Sequence, residues 1–304
     1  MLLFVEQLLN GLQFGVTLLL MASGLTLVFG IMNLINLAHG SLYMVGAYVA
    51  ATVVGATGSF LLGLLAGIAA AGLTGMAIEF VALRRLYDRD HLDQVLATFG
   101  LILFLNELVR IVWGRQPLLM DPPAWLAGTV EVVPGVPYPA FRLAVIVAGL
   151  AVILLLYWLV MRTRLGMWIR AGASNREMIG ALGVNIGLLY TLVFGLGAVL
   201  AGFAGVMAAP FVAVEAGMGE GILILTFVVI VIGGIGSIKG AVVGSLLVGV
   251  SDTLGRAYLP TLLRALLSPS EADAVGASLA SMTIYVVMAL VLAFRPEGLF
   301  RAHA

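Results

Sequence analysis

The chain has 304 residues, 62% hydrophobic and 10% charged, with a formal net charge of zero and no cysteine. A mean hydropathy of +1.16 leaves too little polar side chain to coat a soluble globule of this length, so lipid must be the main solvent. The balanced charge gives no basic surplus for a nucleic-acid partner, and the missing thiols exclude disulfides, thiol catalysis and cysteine-ligated metal.

Unpaired backbone groups are costly in hydrocarbon, so long apolar runs between short polar loops predict an all-α, polytopic transmembrane bundle in a single domain over 1–304. The ten-residue alternation of a β-barrel is not seen. Met1 to Asn10 carries Glu6 and no Lys or Arg, so no cleavable signal peptide is expected and the first apolar run stays as a membrane helix. Spans are predicted at Leu8 to Gly30, Ser41 to Thr57, Phe60 to Leu83, Val95 to Trp113, Leu143 to Val160 and Leu188 to Ala209. Further apolar stretches run from Ile222 to Ile235, Ala241 to Leu254 and Leu279 to Phe294, making eight or nine membrane segments. As one helix, Ile222 to Leu254 would span about 50 Å. Gly233, Gly234, Gly236, Lys239 and Gly240 interrupt it, and two short or broken helices are expected there.

Arginines set the orientation. Arg84, Arg85 and Arg89 mark one cytoplasmic loop, and Arg162, Arg164, Arg170 and Arg176 mark another, taken as the connection 162–186. The connection 114–141 holds Pro117, Pro122, Pro123, Pro134 and Pro137 with no basic residue between Gln116 and Ala140, and is expected outside, as is the acidic Val214 to Glu220 turn. Arg295 and Arg301 put the C-terminus inside. Nine crossings put the N-terminus outside; a re-entrant second segment would put it inside.

Gly63, Gly67, Ala71 and Gly75 recur every four residues, and Gly236, Gly240 and Gly244 repeat that spacing. Such stripes let helices pack closely. Glu79 continues the first stripe and is expected to form an interfacial ion pair with Arg84 or Arg85. Glu107 with Arg110, and Asp252 with Arg256, have the spacing of local ion pairs.

Enzyme chemistry finds no machinery. The glycine-rich text from Gly233 to Gly240 has Lys239 followed by Gly240 and is no phosphate loop, so this chain does not itself hydrolyse ATP. His39, His91 and His303 are far apart and fit no zinc-protease pattern, and no nucleophile elbow accompanies the serines.

Two polar constellations stand out. Asn33, Asn36 and His39 are three residues apart, so one helical turn closed by Gly40 would present their amides and imidazole together. Such a break either lines a cavity or is a solvated inner loop with a capping Asn. Gln13 and Thr17 share a face of the first span and either hydrogen-bond neighbouring helices or line the same pathway. In the long inner connection, Ser174 and Glu177 have the spacing of a capping box, Met178, Ile179 and Leu182 give an apolar side, and Gly183 would stop the helix. This short amphipathic helix suits either a groove in a cytosolic partner or a lipid surface.

On these residues the sequence resembles the permeases of ATP-binding-cassette importers for branched-chain amino acids, over nearly its whole length. The resemblance lies in Gly24-Leu-Thr-Leu-Val-Phe-Gly30, Asn36-Leu-Ala-His39-Gly40, Met44 and Gly46-Ala-Tyr48. It lies also in Arg170-Ala171, Asn175, Glu177-Met178 and Gly183-Val-Asn185 of the loop that couples permease to ATPase, and in Gly233-Gly-Ile-Gly-Ser-Ile-Lys-Gly240 with Gly244. Ile179 and Gly180 depart from the family, where a small residue is expected first. The resemblance implies a multi-pass inner-membrane subunit that works with a homologous second permease, two cytosolic ATP-binding subunits and a periplasmic substrate-binding protein. The chain itself would bind no cofactor; ATP and Mg would be used by the partners. Relatives with these motifs import urea, short amides or other small acids, so family is more sharply implied than substrate. A stand-alone secondary transporter or channel would need intramembrane carboxylates, and only Glu79 and Glu107, both near segment ends, are candidates. A membrane-embedded enzyme would need a nucleophile or metal cluster.

Overall fold

The computed structural model describes residues 2–87 and 89–300, so Arg301 and His303 lie outside the described residues. Eight helices among these are long and apolar enough to cross a membrane. In chain order the helices are α1 (Leu2–Met32), α2 (His39–Thr57), α3 (Phe60–Val81), α4 (His91–Trp113), α5 (Ala140–Arg162), α6 (Arg164–Ser174), α7 (Arg176–Ala181), α8 (Ile186–Ala208), α9 (Met218–Gly233), α10 (Ile238–Leu263) and α11 (Pro269–Phe294). Side chains fix the starts of several: Ser59 Oγ accepts from Leu62 N at 3.4 Å, Asn185 Oδ1 from Leu188 N at 3.0 Å and Ser237 Oγ from Gly240 N at 3.1 Å. All nine predicted apolar stretches fall on helices, eight of them on helices long and apolar enough to cross a membrane and Ile222 to Ile235 on the shorter α9.

The connection between α4 and α5 is not a plain loop. Thr129–Val133 (β1) and Val136–Pro139 (β2) pair antiparallel, with Thr129 opposite Pro139 and Val130 opposite Tyr138. Prolines, which cannot donate to a ladder, are tolerated because this two-stranded hairpin is all edge. The architecture is thus helical with one small hairpin.

The described residues form two compact units. The first comprises residues 2–22, 124–148 and 225–300. In it the start of α1 lies backbone-to-backbone on α10: a Cβ added to Gly11 would come within 2.8 Å of Val250 Cα, and one on Gly249 within 2.6 Å of Gly11 O. Asn10 Oδ1 accepts from Arg142 Nη1 at 2.7 Å and Tyr138 Oη at 3.2 Å, tying α1 to the hairpin and α5. Burial raises the Tyr138 phenol above its ordinary range, against the lowering pull of Arg142, so it stays a donor. The chain breaks between α9 and α10 as expected, with Gly234 at φ +103°. Gly233 and Gly240 meet across the break, and Leu299 N and Phe300 N bond to the carbonyls of Ile232 and Gly233 at 2.8 and 3.0 Å. Gly236 (φ +83°) lies in the break, so only Gly240 and Gly244 of the second stripe are helical.

The second unit comprises residues 23–123 and 149–224 apart from Asp88. Its centre is α2, α3 and α8, packed through small residues. A Cβ on Gly46 would stand 2.6 Å from Gly202 Cα, one on Gly67 would stand 2.6 Å from Gly46 O, and one on Gly75 would collide with Ala198 Cβ. Gly63 meets Ala50 and Val54. The first stripe is therefore a helix-packing face. Beside it Tyr48, Met44, Leu105, Val109, Met120, Val206 and Val214 form a buried cluster, and Trp113 Nε1 donates to Thr52 Oγ1 at 2.6 Å.

Candidate functional site

In the inner connection the chain turns sharply after α5. Thr163 Oγ1 accepts from Gly166 N at 3.1 Å to start α6, the Arg170 guanidinium donates to the Val160 carbonyl, and Gly166 has no room for a side chain against Leu159 and Val160. Ile169 and Gly172 of α6 are buried, Gly172 beside Leu189 and Ile31. Sequence reasoning missed α6, and this changes the cap of the next helix. Ser174 is the last residue of α6; Asn175, at extended φ and ψ, caps α7 and its Oδ1 accepts from Met178 N at 2.9 Å. Ala171, Ser174 and Glu177 are exposed.

The apolar side of α7 is split. Ile179 is buried, whereas Met178 is 63% and Leu182 78% exposed. Gly183, at φ +88°, ends the helix as expected, its N–H bonded to Gly180 O at 3.0 Å. Val184 N bonds back to Ile179 O at 3.3 Å, and Asn185 caps α8 immediately afterwards. The result is a short helix anchored by one buried isoleucine, presenting Met178 and Leu182 among charged neighbours, with a tight connection into α8.

The polar break departs from expectation. Asn33, Asn36 and His39 do not share a helical turn: α1 ends at Met32, Asn33 is exposed at φ +51°, and Asn36 Oδ1 accepts from Ala38 N at 3.0 Å in a local turn. This side-chain bond competes with helix continuation. His39 begins α2, and Gly40 lies inside α2 with its backbone against Gly219 rather than ending a turn. Asn36 and His39 are completely buried. The imidazole packs onto Gly24 of α1 near Gly197 O of α8. Ser23 Oγ, Thr26 Oγ1 and Asn36 Nδ2 are buried without a hydrogen-bond partner among the described residues. Gln13 and Thr17, in the first unit, bond along their own helix, Gln13 Nε2 to Thr17 Oγ1 at 3.4 Å and Thr17 Oγ1 to Gln13 O at 3.2 Å.

A third cluster joins α3 to α8. Glu79 is wholly buried; its Oε2 accepts from Thr191 Oγ1 at 2.5 Å and Arg84 Nη2 at 3.4 Å, and its Oε1 from Tyr87 Oη at 2.5 Å. Arg84 Nη2 also donates to Thr191 Oγ1 at 2.8 Å and Gly187 O at 3.4 Å. The Tyr87 ring stands edge-on to Tyr190. Burial, then the bond to Glu79, pushes the Tyr87 phenol far above its usual range, so it remains a donor. The ion pair with Arg84 was expected; Tyr87, Gly187, Tyr190 and Thr191 were not, and their sequence separation from Glu79 left no local signal. Glu107 with Arg110 (3.3 Å) and Asp252 with Arg256 (2.8 Å) pair as their spacing predicts. No group of three or more His, Asp or Glu side chains placed to hold a metal occurs among the described residues.

The sequence model of the family described as "Branched-chain amino acid transport system / permease component" matches residues 7–293. The high-affinity branched-chain amino acid transport system permease protein LivH of Salmonella typhimurium is 32% identical, over 85% of this chain and 88% of its own. BraD of Pseudomonas aeruginosa, named for the same kind of system, is 32% identical over 97% of this chain and 95% of its own. A probable LivH from Methanocaldococcus jannaschii is 28% identical over 80% and 78%. No solved structure matches the chain. With apolar helices sufficient for many crossings, motifs that persist in the folded chain and a family match over almost its whole length, this protein belongs to the permease components of branched-chain amino acid transport systems, multi-pass membrane subunits that are not enzymes.

Proposed function

We propose that this permease forms half of the translocation pathway of an ATP-driven importer for leucine, isoleucine and valine or a related small polar solute such as urea or an amide. In this reading it pairs with a homologous second permease, receives solute from a periplasmic binding protein, and is moved by two cytosolic ATPase subunits that hold ATP and Mg. The observation that carries it is α7. An exposed pair of large apolar side chains, Met178 and Leu182, on a capped helix fixed at both ends, suits a groove in another protein, and the sequence carries no phosphate loop of its own. The Ser23 and Thr26 hydroxyls and the Asn36 amide nitrogen, buried without a hydrogen-bond partner among the described residues, support a polar route beside α1.

The names of the relatives favour branched-chain amino acids over urea and amides. The test is uptake into proteoliposomes by the assembled complex with ATP inside. Saturable uptake of labelled leucine, displaced by isoleucine and valine and not by urea or acetamide, is expected. Uptake of urea or an amide with no leucine transport would overturn the substrate reading.

A further inference from the structure

The Glu79 cluster has a position that packing alone does not require. Glu79 lies one four-residue step beyond Gly75, at the end of the face by which α3 packs on α2 and α8. On α8, Thr191 bonds Glu79 itself, Gly187 O accepts from Arg84 and Tyr190 stands against Tyr87, and all three belong to the first two turns of that helix. Those turns follow α7 after only Leu182 to Asn185, and that connection is bonded back onto α7 through Gly183 N and Val184 N. Gly180 of α7 also faces Ile186 of α8, with an added Cβ 3.5 Å from Ile186 Cγ1. A displacement of α7 therefore has little slack before it reaches the start of α8.

We propose that Glu79, held by Arg84, Tyr87 and Thr191, is a clamp that transmits movement of α7 through the start of α8 into α3, so that it couples ATP hydrolysis to solute movement. This rests on the reading that a cytosolic ATPase docks on α7. Glu79 touches neither solute nor nucleotide; it is a positioning residue. A buried carboxylate needs its donors, and Thr191 and Arg84 supply them from two elements at once. The α3–α8 contact at this end is thereby polar and directional, whereas the contact of Gly75 with Ala198 is steric alone.

The experiment compares Glu79→Gln, Thr191→Val and Thr191→Ser in the full transport complex, measuring leucine uptake and ATP hydrolysis in the same proteoliposomes. Thr191→Val keeps the shape and removes the hydroxyl; Thr191→Ser restores it. The proposal expects uptake per ATP hydrolysed to fall about tenfold in Glu79→Gln and Thr191→Val and to stay normal in Thr191→Ser, with the ATPase still co-purifying. Uptake and hydrolysis falling in parallel, or an unchanged ratio in Thr191→Val, would overturn it. Should Glu79→Gln fail to assemble, the Thr191 pair decides alone. Failure of the ATPase to co-purify with the unmodified chain would instead overturn the docking reading, which keeps the two outcomes distinct.

Discussion

Helix α8 serves two regions built on opposite rules. Through its middle, Gly205 lies against the α2 backbone at Tyr43, and Gly202 and Gly195 against the Ala71 and Met76 side chains of α3, so the specification there is steric and almost any added atom is excluded. Before its first turn the chain runs through α7, where Met178 and Leu182 are largely exposed and the buried Ile179 provides the anchor. The comparison teaches that small residues build the scaffold, while the proposed docking falls to large exposed ones. Mutations in the two regions should fail for different reasons.

The largest effect is expected at the scaffold. Gly46→Leu would force a side chain into Gly202 and should cost about 3 kcal/mol or more by overpacking, seen as lost yield of folded protein and a lower melting temperature in detergent. Gly55→Ala, on the same helix but in open space, should leave both unchanged. Next comes Gly183→Ala, which puts a Cβ at φ +88° and should cost about 1 kcal/mol locally while weakening ATPase co-purification more than thermal stability. Asn175→Ala removes the cap of α7 and should cost about 1 kcal/mol, read as faster amide exchange confined to residues 176–182. The exposed pair of Glu107 and Arg110 lies outside both regions, and Arg110→Ala should change melting by less than about 0.5 kcal/mol. If Gly46→Leu were as stable as Gly55→Ala, the steric account of α8 would fail.

Much of this was legible in the sequence because lipid demands long apolar helices and because close helix packing writes small residues at a spacing of four. The first stripe and the glycine break after α9 could be read for that reason. What could not be read depended on competition or distance. At the start of α7, Ser174 and Asn175 both suit a cap; α6 settled it by extending through Ser174, and α6 itself was obscured by Gly166 and Gly172, poor helix formers kept for tight packing. Asn36 bonding to Ala38 N ended the helical spacing that would have aligned it with Asn33 and His39. The hairpin was hidden by its prolines, and Thr191 by a separation of 112 residues from Glu79.

The central claim is that this permease moves solute only when driven through α7. It is tested most directly by labelled leucine uptake into proteoliposomes holding the permeases alone, the permeases with the ATPase subunits, and the latter with Leu182→Asp, all with binding protein outside and ATP inside. The account predicts uptake in the second case only, with Leu182→Asp inserted and folded but unable to hold the ATPase. Uptake by the permeases alone, or unimpaired uptake with Leu182→Asp, would contradict it.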